Sequence, residues 1–537
     1  MMNLPNSWTQ VALEELFQIV LGGDWGSDPS DALDDSSLVR CIRASELRDW
    51  GTRKGKTAAI RRLKNSSIEK RRLRTGDILV EVSGGGPDQA VGRTVLITNE
   101  VLSADQNCDF VCTNFFRFCR PKININTAYI NWYLQHFYSV GGTKALQAGS
   151  NNLRNLRFPD YLAQAIPISP LNEQRRIVAK IEELFSELDN GVESLITAHA
   201  QLKVYRQSVL KAAFEGKLTK DWRIENSCKL DTGTALLEHI KLERERQYKD
   251  DLSVWKKAVC EAETANLPRP RKPSKPTAAD KPSPKQASLM VDLPPSWEWV
   301  QLGDFAFVTK LAGFEYTKFV RYDDNGDLEV IKAENAGPNG FRETDFSRIR
   351  SETVAALERS QLHGGELLMV FVGAGTGNVA MVPEGRTFFL GPNIGMMRVT
   401  SDRINPQYVE YFLRSPQGRE LALSSVKAVA QPSLSMGTIR QIPVALPSLY
   451  EQTQIVRILE SRLETADLME AEIDAALARA EAMRQSILKR AFSGQLVAQD
   501  PADEPAFELL ARISANYEQS DKKASRRNKK NGKKEAA

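Results

Sequence analysis

The chain has 537 residues, of which 42% are hydrophobic and 26% charged, and its net charge is only +4. A chain of this length is too long for one hydrophobic core, so two or more globular domains are expected, and the composition is ordinary for a soluble protein. The amino terminus has no signal-peptide pattern, and the longest apolar run, around residues 367–372, is far too short to span a bilayer, so a cytoplasmic protein without a membrane partner is expected.

The positive charge is concentrated in two segments. Residues 53–74 hold ten Lys or Arg residues against Glu69 alone, a local charge of +9. The tail from Asp521 holds eight more against Asp521 and Glu535. Since the remaining chain is then acidic overall, the placement of the basic residues favours a polyanionic partner, with nucleic acid as the first candidate.

Residues 1–170 have the pattern of a mixed α/β domain. Short runs rich in β-branched and aromatic residues, such as 78–82, 95–98 and 110–118, alternate with Gly and Asn turns and predict strands. Residues 126–138 carry apolar side chains at helical spacing.

Residues 171–217 predict one long helix with a narrow apolar seam. Steps of three and four residues continue along the whole segment and are typical of a coiled coil: Ile177, Ile181, Leu184, Leu188, Val192, Leu195, Leu202, Val209 and Ala213. Gly216 fits a left-handed residue that ends the helix. Gly191 lies in the helix interior, where glycine is unfavourable, and is expected to bend it.

Residues 218–290 connect this helix to the second half of the chain. Residues 231–263 are highly charged and predict a further helix. Residues 268–286 are rich in proline and lysine, as in a semi-extended tether between domains.

The second half repeats the first. LPNSW at residues 4–8 returns as LPPSW at 293–297, and SVLKAAFEGKL at 208–218 returns as SILKRAFSGQL at 486–496. Residues 291–448 therefore predict a second mixed α/β domain, with strands around 367–372 and 396–399 and a helix at 405–414. Residues 449–496 predict a second long helix, opened by a capping box of Ser448 and Glu451 and closed by Gly494.

Residues 497–537 complete the second half. Residues 507–518 echo 234–245, so a short helix is expected there, followed by a basic, disordered tail. The fold class is α+β, with two mixed α/β domains joined by a pair of long coiled-coil helices in an internal twofold repeat.

The motifs that could carry catalysis fail on their spacing or context. GTRKGKT at residues 51–57 has three residues between its glycines where a P-loop has four. VGAGTG at 372–377 follows a strand but is followed by another strand instead of a helix, so a tight hairpin shared with residues 83–86 explains it better than a cofactor loop. Cys108, Cys112 and Cys119 do not complete a zinc site. No catalytic centre and no metal site are predicted.

The repeat as a whole resembles the specificity (S) subunit of Type I restriction-modification systems. The residues that carry the resemblance are IPISPLNEQ at 166–174 and LPSLYEQ at 446–452, the two helix ends quoted above, the LPNSW and LPPSW starts, and TGDIL at 75–79. Two departures are Gly365-Glu366-Leu367, which replaces GDI, and the long Pro/Lys tether. The resemblance spans nearly all of the chain.

The resemblance implies a non-catalytic DNA-reading subunit. Each globular part would be a target recognition domain for one half of a split, asymmetric site in double-stranded DNA. The two helices would pair antiparallel as a spacer and dock two methyltransferase (M) subunits, to which restriction/translocase (R) subunits add. S-adenosylmethionine, ATP and Mg²⁺ would belong to those partners, and none would be bound by this chain.

Candidate DNA contacts fall into three groups. The first is the basic strip, which an ordinary solvated surface would also explain: Arg53, Lys54, Lys56, Arg61, Arg62 and Lys64. The second is the hairpin loops, comprising Ser83, Asp88, Gln89, Arg93, Thr376 and Asn378. The third is the loops before the long helices, comprising Asn151, Asn152, Arg154, Gln431 and Ser433. Asn, Gln and Arg can read purine edges bidentately, and the alternative for each loop residue is a turn-forming role.

Two alternatives from other classes remain open at this stage. One is a methyltransferase or nuclease fused to its own recognition domains, which would show activity as a purified chain. The other is a coiled-coil scaffold without a DNA role, whose binding would be insensitive to salt.

Overall fold

The computed structural model describes residues 4–31, 33–86, 89–149, 154–265, 267–270, 272–273, 275, 282–424 and 433–515. Its contacts divide the chain into two compact units. The first unit contains residues 1–196 and 474–537, and the second contains residues 197–473. Each unit therefore combines one globular part with a portion of both long helices.

Short strands dominate the globular part of the first unit. Its strands are β1 (Thr9–Ala12), β2 (Phe17–Gly22), β3 (Ser36–Ile42), β4 (Ala59–Lys64), β5 (Ile78–Glu81), β6 (Ser83–Gly84), β7 (Thr94–Leu96), β8 (Asp109–Cys112), β9 (Phe116–Pro121), β10 (Gln147–Ala148), β11 (Arg154–Leu156) and β12 (Ala165–Ile168). Its α-helices are α1 (Trp50–Arg53), α2 (Asn65–Arg71), α3 (Asn99–Leu102), α4 (Thr127–Ser139), α5 (Phe158–Leu162) and α6 (Leu171–Phe214), and residues 506–515 are also helical. Its 3-10 turns are Leu13–Leu16, Ala44–Asp49 and Lys144–Leu146.

Two sheets form the body of this globular part. The central sheet has the order β2-β9-β5-β7 and is antiparallel throughout, and the second sheet has the order β4-β3-β8, in which β3 and β8 are parallel. The run at residues 110–118, predicted as one strand, is divided between β8 and β9. The chain turns after Cys112, where the Phe116 N–H donates to the Thr113 carbonyl at 3.0 Å, so the two strands join different sheets.

The second unit repeats these elements in a longer form. Its strands are β13 (Glu298–Gln301), β14 (Ala306–Lys310), β15 (Leu328–Ile331), β16 (Ala336–Gly337), β17 (Gly340–Phe341), β18 (Ser347–Ile349), β19 (Gln361–Leu362), β20 (Leu367–Val370), β21 (Val379–Met381), β22 (Phe388–Leu390), β23 (Ile394–Val399) and β24 (Pro443–Leu446). Its α-helices are α7 (Lys220–Glu225), α8 (Gly233–Thr264), α9 (Pro284–Ala287), α10 (Leu302–Phe305), α11 (Gly313–Phe319), α12 (Pro406–Arg414), α13 (Pro416–Leu423), α14 (Met436–Arg440) and α15 (Leu449–Phe492). Its 3-10 turns are Ser227–Lys229, Ala333–Asn335 and Ser351–Ser360.

The sheets of the second unit have the same plan as those of the first. The central sheet has the order β14-β23-β20-β21, and the second sheet, β18-β15-β22-β19, again has a parallel pair at its centre. The strand that opens each globular part pairs with the strand that ends it, β1 with β12 and β13 with β24. The predicted mixed α/β class and twofold repeat are confirmed, because the repeated sequence folds into the same topology twice.

The long helices run antiparallel within each unit, as predicted. In the first unit, the amino-terminal part of α6 and the carboxyl-terminal part of α15 share one hydrophobic core, to which Ile177, Ile181, Leu488, Ala491 and Phe492 contribute. In the second unit, the carboxyl-terminal part of α6 and the amino-terminal part of α15 share the core. This core includes Val209, Ala213, Ile455, Val456 and Leu459. Both helices have 44 residues, and none of the helices in the described part of the chain is long and apolar enough to cross a membrane.

Three glycines in or after these helices behave differently. Gly216 and Gly494 adopt φ angles of 69° and 72°, so both are left-handed residues that end their helices, as the sequence predicts. Helix α6 continues through Gly191 as one uninterrupted helix, so the glycine does not end or break it. A Cβ added at Gly191 would meet no atom within 4 Å.

A buried junction joins α6 to the globular part of the first unit. The indole Nε1 of Trp8 donates to Glu173 Oε2 at 3.0 Å. The side chain of Gln174 accepts a hydrogen bond from the Asn126 backbone N–H at 3.1 Å and donates one to the Ser169 carbonyl at 2.7 Å. Since Asn126 caps α4, the Glu-Gln pair fixes the start of the long helix against both the opening segment and α4.

The second unit builds the same junction from the corresponding residues. Trp297 Nε1 donates to Glu451 Oε2 at 3.0 Å, and the Asn405 backbone N–H donates to Gln452 Oε1 at 2.8 Å. Thr219 also donates to the Glu451 carboxylate, at 2.7 Å. In each unit, the tryptophan of the LPxSW sequence therefore contacts the glutamate of the EQ sequence.

Of the two hydrogen bonds predicted for the capping box at α15, one is present and the prediction of the other is wrong. Ser448 Oγ accepts from the Glu451 N–H at 3.4 Å, as expected for an N-cap. The Glu451 carboxylate, however, is fully buried and bonds to Thr219, Arg223 and Trp297 instead of the cap backbone. Tertiary donors outcompete the local one because a buried carboxylate needs several hydrogen bonds.

His136 should make the first unit sensitive to acid. Its side chain is buried against Phe492, with ring centroids 5.9 Å apart, and burial, with a smaller contribution from Lys489, lowers its pKa below the usual 6.5. As the pH falls below about 6.5, the imidazole of His136 becomes protonated in the unfolded chain but stays neutral in the folded chain. The stability that is present above that pH is therefore lost, by up to about 1.4 kcal/mol per pH unit, until the pH reaches the lowered pKa of the folded state.

Urea-unfolding midpoints measured between neutral and mildly acidic pH check this expectation. His136→Gln should flatten the pH dependence over this range, because glutamine does not titrate. His363→Gln is the matched control, since His363 is exposed. An acid dependence that is identical in all three proteins would contradict the assignment.

Candidate nucleic-acid interface

The central sheet of the first unit has one edge from which several loops emerge. Strands β2 and β5 both pair antiparallel with β9, so they run in the same direction and end at the same edge. Gly22 at the end of β2 lies opposite Arg117, and Glu81 at the end of β5 lies opposite Phe116. The loops 23–35 and 82–93 therefore begin side by side.

The segment before the long helix joins the same edge. Strand β11 pairs with β6, which places Arg154 opposite Gly84 and Asn155 opposite Ser83. Ser83 Oγ donates to Asn155 Oδ1 at 2.6 Å. The structure thus brings together Ser83 and Arg154, which the sequence predicted as members of two separate loops.

The second unit gathers its loops in the same way. Strands β14 and β20 both pair antiparallel with β23, with Lys310 opposite Gly395 and Val370 opposite Ile394. Ser433 forms an isolated antiparallel bridge with Val372. The loop that contains Thr376 and Asn378 and the segment before α14 therefore meet at one edge, which corresponds to the edge in the first unit.

The basic strip lies beside the loop edge of the first unit. Lys64 ends strand β4, and Arg61 and Arg62 within it hold the loop that follows β2. Arg61 Nε donates to the Trp25 carbonyl at 3.1 Å, and its guanidinium lies 4.3 Å from the centre of the Trp25 ring.

The three residues of the strip nearest α1 differ in their partners: Arg53 and Lys54 have acidic ones, and Lys56 has none among the residues that the structure describes. Arg53 lies 3.8 Å from Asp49, and Lys54 lies 2.5 Å from Glu100. Lys56 is exposed, and no ion pair to it forms among the described residues. The strip is therefore more strongly charged around β4 than around α1.

Two predicted DNA contacts in the first unit have structural partners. Arg93 donates to both oxygens of the buried Glu81, at 2.6 and 2.9 Å, and this bonding raises the pKa of the guanidinium. The Gln89 amide lies against the same guanidinium, 2.9 to 3.1 Å away when it is oriented to accept. The Arg93–Glu81 pair shapes the 82–93 loop, and contact with DNA by Arg93 or Gln89 stays a prediction.

Two predicted contacts in the second unit are likewise held inside their loop. Thr376 is buried and its hydroxyl donates to the Gly373 carbonyl at 2.6 Å. Asn378 donates to the Ala336 carbonyl at 3.1 Å and accepts from Arg419 at 3.0 Å. A turn-forming role accounts for both side chains, whereas Ser433 is exposed at the loop edge.

The hairpin predicted for both units is found in different forms. In the second unit β20 pairs directly with β21 across the glycine-rich loop. In the first unit β5 pairs with β7, but the connection of 82–93 contains the separate strand β6. The connection is therefore not tight. The remaining predicted contacts, Asp88, Asn151, Asn152 and Gln431, lie outside the described residues.

Sequence analysis missed two exposed aromatic residues at these edges. Trp25 follows β2 and is 37% exposed, and Phe314 in α11 follows β14 and is 72% exposed. Both come directly after the strand that opens the central sheet. An aromatic residue surrounded by Gly, Asp and Lys after a strand is a signal that could have found them.

The three buried cysteines of the first unit do not have the character of metal ligands. Burial raises the pKa of the Cys41 thiol to about 12, and that of the Cys112 and Cys119 thiols well above their usual range. These thiols stay protonated, so they pack as small apolar groups. Among the described residues, one group with metal-binding spacing is present, comprising His239, Glu243 and Asp402, but it is largely exposed and Arg403 lies 3.8 Å from Asp402.

Comparison with known proteins decides between the remaining classes. Residues 294–479 match the family model for the Type I restriction modification DNA specificity domain. The Type I restriction enzyme EcoKI specificity subunit of Escherichia coli (strain K12) is 26% identical over an alignment that covers 98% of both proteins. The chain is therefore similar to Type I restriction enzyme specificity subunits over nearly its whole length.

Further similarities extend over nearly the whole of this chain. The Type I restriction enzyme StySPI specificity subunit of Salmonella potsdam is 24% identical, with 98% of this chain and 99% of that protein aligned. A chain from a structure of the type I R-M system has a TM-score of 0.60 at 17% identity, covering 92% of this chain and 100% of that chain, so the two share a fold. The chain resembles these proteins in both globular parts, not only in the second.

Proposed function

We propose that this chain is the non-catalytic, sequence-specific DNA-recognition subunit of a Type I restriction-modification system. The observation that carries the proposal is the repeated loop edge. The same scaffold occurs twice in one chain, and each copy presents different side chains at its edge, as expected for readers of two different half-sites. The target would then be bipartite and asymmetric.

The loop edges have the chemistry that double-stranded DNA requires. In the first unit, Arg61, Arg62 and Lys64 offer positive charge for phosphates beside the polar side chains of Ser83 and Arg154. Phosphate contacts position a protein on the duplex, and side chains on neighbouring loops read the base edges. In the second unit, Lys310, Phe314 and Ser433 offer the corresponding mixture.

The long helices suit a spacer that also binds other subunits. At 1.5 Å per residue, each helix is about 66 Å long. Each unit exposes apolar side chains on its helix portions, such as Ile196 in the first unit and Val204, Leu468 and Met469 in the second. Exposed apolar groups on a helix favour a protein partner.

The proposed partners supply the chemistry. Two methyltransferase (M) subunits would bind the helices, and restriction/translocase (R) subunits would add to them. S-adenosylmethionine, ATP and Mg²⁺ would be bound by those subunits and not by this chain. The complex would use the specificity subunit only to choose where methylation and cleavage are directed.

Methylome sequencing of a host that carries the matching M subunit tests the proposal. Adenine methylation at one split, asymmetric motif should be present with this chain and absent without it. Exchanging residues 291–448 for those of a relative is the matched control, because one half-site should change while the other stays. Methylation that persists without the chain would contradict the proposal, as would binding of S-adenosylmethionine or DNA cleavage by the purified chain alone.

A further inference from the structure

A polar pocket of about 390 Å³ lies between β4, α2 and the loop after β2 in the first unit. Four cationic side chains line it, belonging to Arg62, Lys64, Lys70 and Arg71. We propose that this pocket, defined here as the phosphate pocket, binds a phosphodiester of the DNA backbone. The proposal rests on the proposed function and deepens it, because it assigns the sequence-independent part of binding to one place in the first unit.

The two arginines of the phosphate pocket are oriented without being neutralised. Arg62 donates through Nε and Nη2 to the Pro29 carbonyl at 3.2 and 3.1 Å. Arg71 donates to the Gly22 carbonyl at 3.1 Å and to Ser67 Oγ at 2.9 Å. Carbonyl and hydroxyl groups fix a guanidinium but carry no net charge, and neither arginine forms an ion pair with a carboxylate among the described residues. Both charges remain available to an anion.

The two lysines complete the positive field of the pocket. Lys64 and Lys70 are exposed, and within the described ranges neither has a carboxylate within ion-pair distance. The carboxylate in the pocket belongs to Asp24, which already accepts from Ser67 Oγ at 2.6 Å and from the Gly26 N–H at 3.0 Å. Four positive charges therefore face one negative charge that is occupied by local donors.

Three surface arginines of the second unit, by contrast, form ion pairs with carboxylates. Arg348 and Arg350 pair with Glu329 and Asp323 at 3.1 and 2.7 Å. Arg386 lies 2.5 Å from Glu329 and 2.9 Å from Glu343. These pairs neutralise the surface around β15 and β18. The surface around β15 and β18 therefore carries less uncompensated positive charge than the surface around β4 and α2.

The position of the phosphate pocket suits backbone capture next to base reading. Arg71 bonds to Gly22, the last residue of β2, which lies at the loop edge described above. A phosphate held in the pocket would lie beside the segment after β2, which begins at this edge. Phosphate contacts at one side of a reading surface fix the register of the duplex against it.

Duplex binding by the full chain, measured by fluorescence anisotropy from about 50 to about 200 mM KCl, tests the pocket. Lys64→Gln/Lys70→Gln is the informative variant, because both side chains are exposed and the fold does not depend on them. The slope of log affinity against log salt is negative, and each lost phosphate contact reduces its magnitude by about 0.9. A reduction in magnitude of about 1.8 is therefore expected, with equal weakening for target and non-target duplexes. Lys241→Gln/Lys249→Gln on α8 removes the same charge and should leave the slope unchanged.

The outcomes separate the pocket from the proposed function. An unchanged slope in Lys64→Gln/Lys70→Gln, while the wild type binds its duplex, would overturn the pocket alone. A wild-type chain that binds no duplex would overturn the proposed function. Acetylation footprinting separates the sources of phosphate. Protection of Lys64 and Lys70 by duplex supports the proposal, whereas protection by inorganic phosphate and not by duplex would assign the pocket to a free anion and overturn it.

Discussion

Replacing Glu451 by alanine is expected to lower the free energy of unfolding of the second unit by about 3 to 5 kcal/mol, because it leaves the buried Arg223 charge without a partner. Arg223 Nε lies 2.8 Å from Glu451 Oε1, and their side chains are 15% and 0% exposed. Thr219 and Trp297 lose the same acceptor. Shifts of the urea midpoint, followed by fluorescence and circular dichroism of the full chain, measure the loss.

Two further substitutions make this result specific. Glu464→Ala changes an exposed residue in the same helix and should alter stability by less than about 0.5 kcal/mol. Arg223→Ala combined with Glu451→Ala should cost less than the sum of the single changes, since the double variant leaves no buried charge unpaired. Equal midpoints for Glu451→Ala and Glu464→Ala would show that the junction does not stabilise the unit.

Glu173 in the first unit provides a natural comparison with Glu451. It accepts from Trp8 at 3.0 Å and from Gln499 at 2.5 Å. Burial raises the pKa of its carboxyl, although the bonds from Trp8 and Gln499 oppose that shift. Because its close partners are neutral, Glu173→Ala should be less damaging than Glu451→Ala.

Removing residues 190–196 together with 477–483 is expected to shorten the non-specific spacer of the DNA target without changing either half-site. The deletion removes seven residues from each helix at opposed positions and so preserves the apolar seam. Seven helical residues correspond to about 10 Å, or about three base pairs. The expectation rests on the proposed spacer role of the helices.

Contacts within each unit define the register for this deletion. Asp189 pairs with Arg484 in the first unit, and Arg206 pairs with Asp467 at 2.5 Å in the second. Methylome sequencing of the variant gives the new spacer directly. Deleting 190–196 alone is the control and should abolish modification, because the two seams no longer match. An unchanged spacer in the double deletion would contradict the spacer role.

The sequence predicted the features that depend on local spacing. Apolar residues three and four apart along α6 and α15 define helices whatever surrounds them, and Gly216 and Gly494 mark helix ends because other residues rarely adopt positive φ. The internal repeat could be read directly from the two LPxSW starts and the two EQ pairs. For the same reason a pair of long helices and two mixed α/β parts were predictable, whereas the antiparallel orientation of the helices was expected only from the family resemblance.

The sequence determined by itself that the chain is one scaffold used twice, with a strongly basic segment at residues 53–74 in the first copy only. Only the tertiary structure decided what individual side chains do. Ser83 meets Asn155, Arg93 meets Glu81, and Glu451 meets Arg223, 228 positions earlier in the chain. Such pairs are set by how strands and helices pack, and no periodicity encodes them. Arg93 and Arg62 look alike in sequence, yet a buried carboxylate neutralises the first, whereas a carbonyl leaves the charge of the second available for DNA.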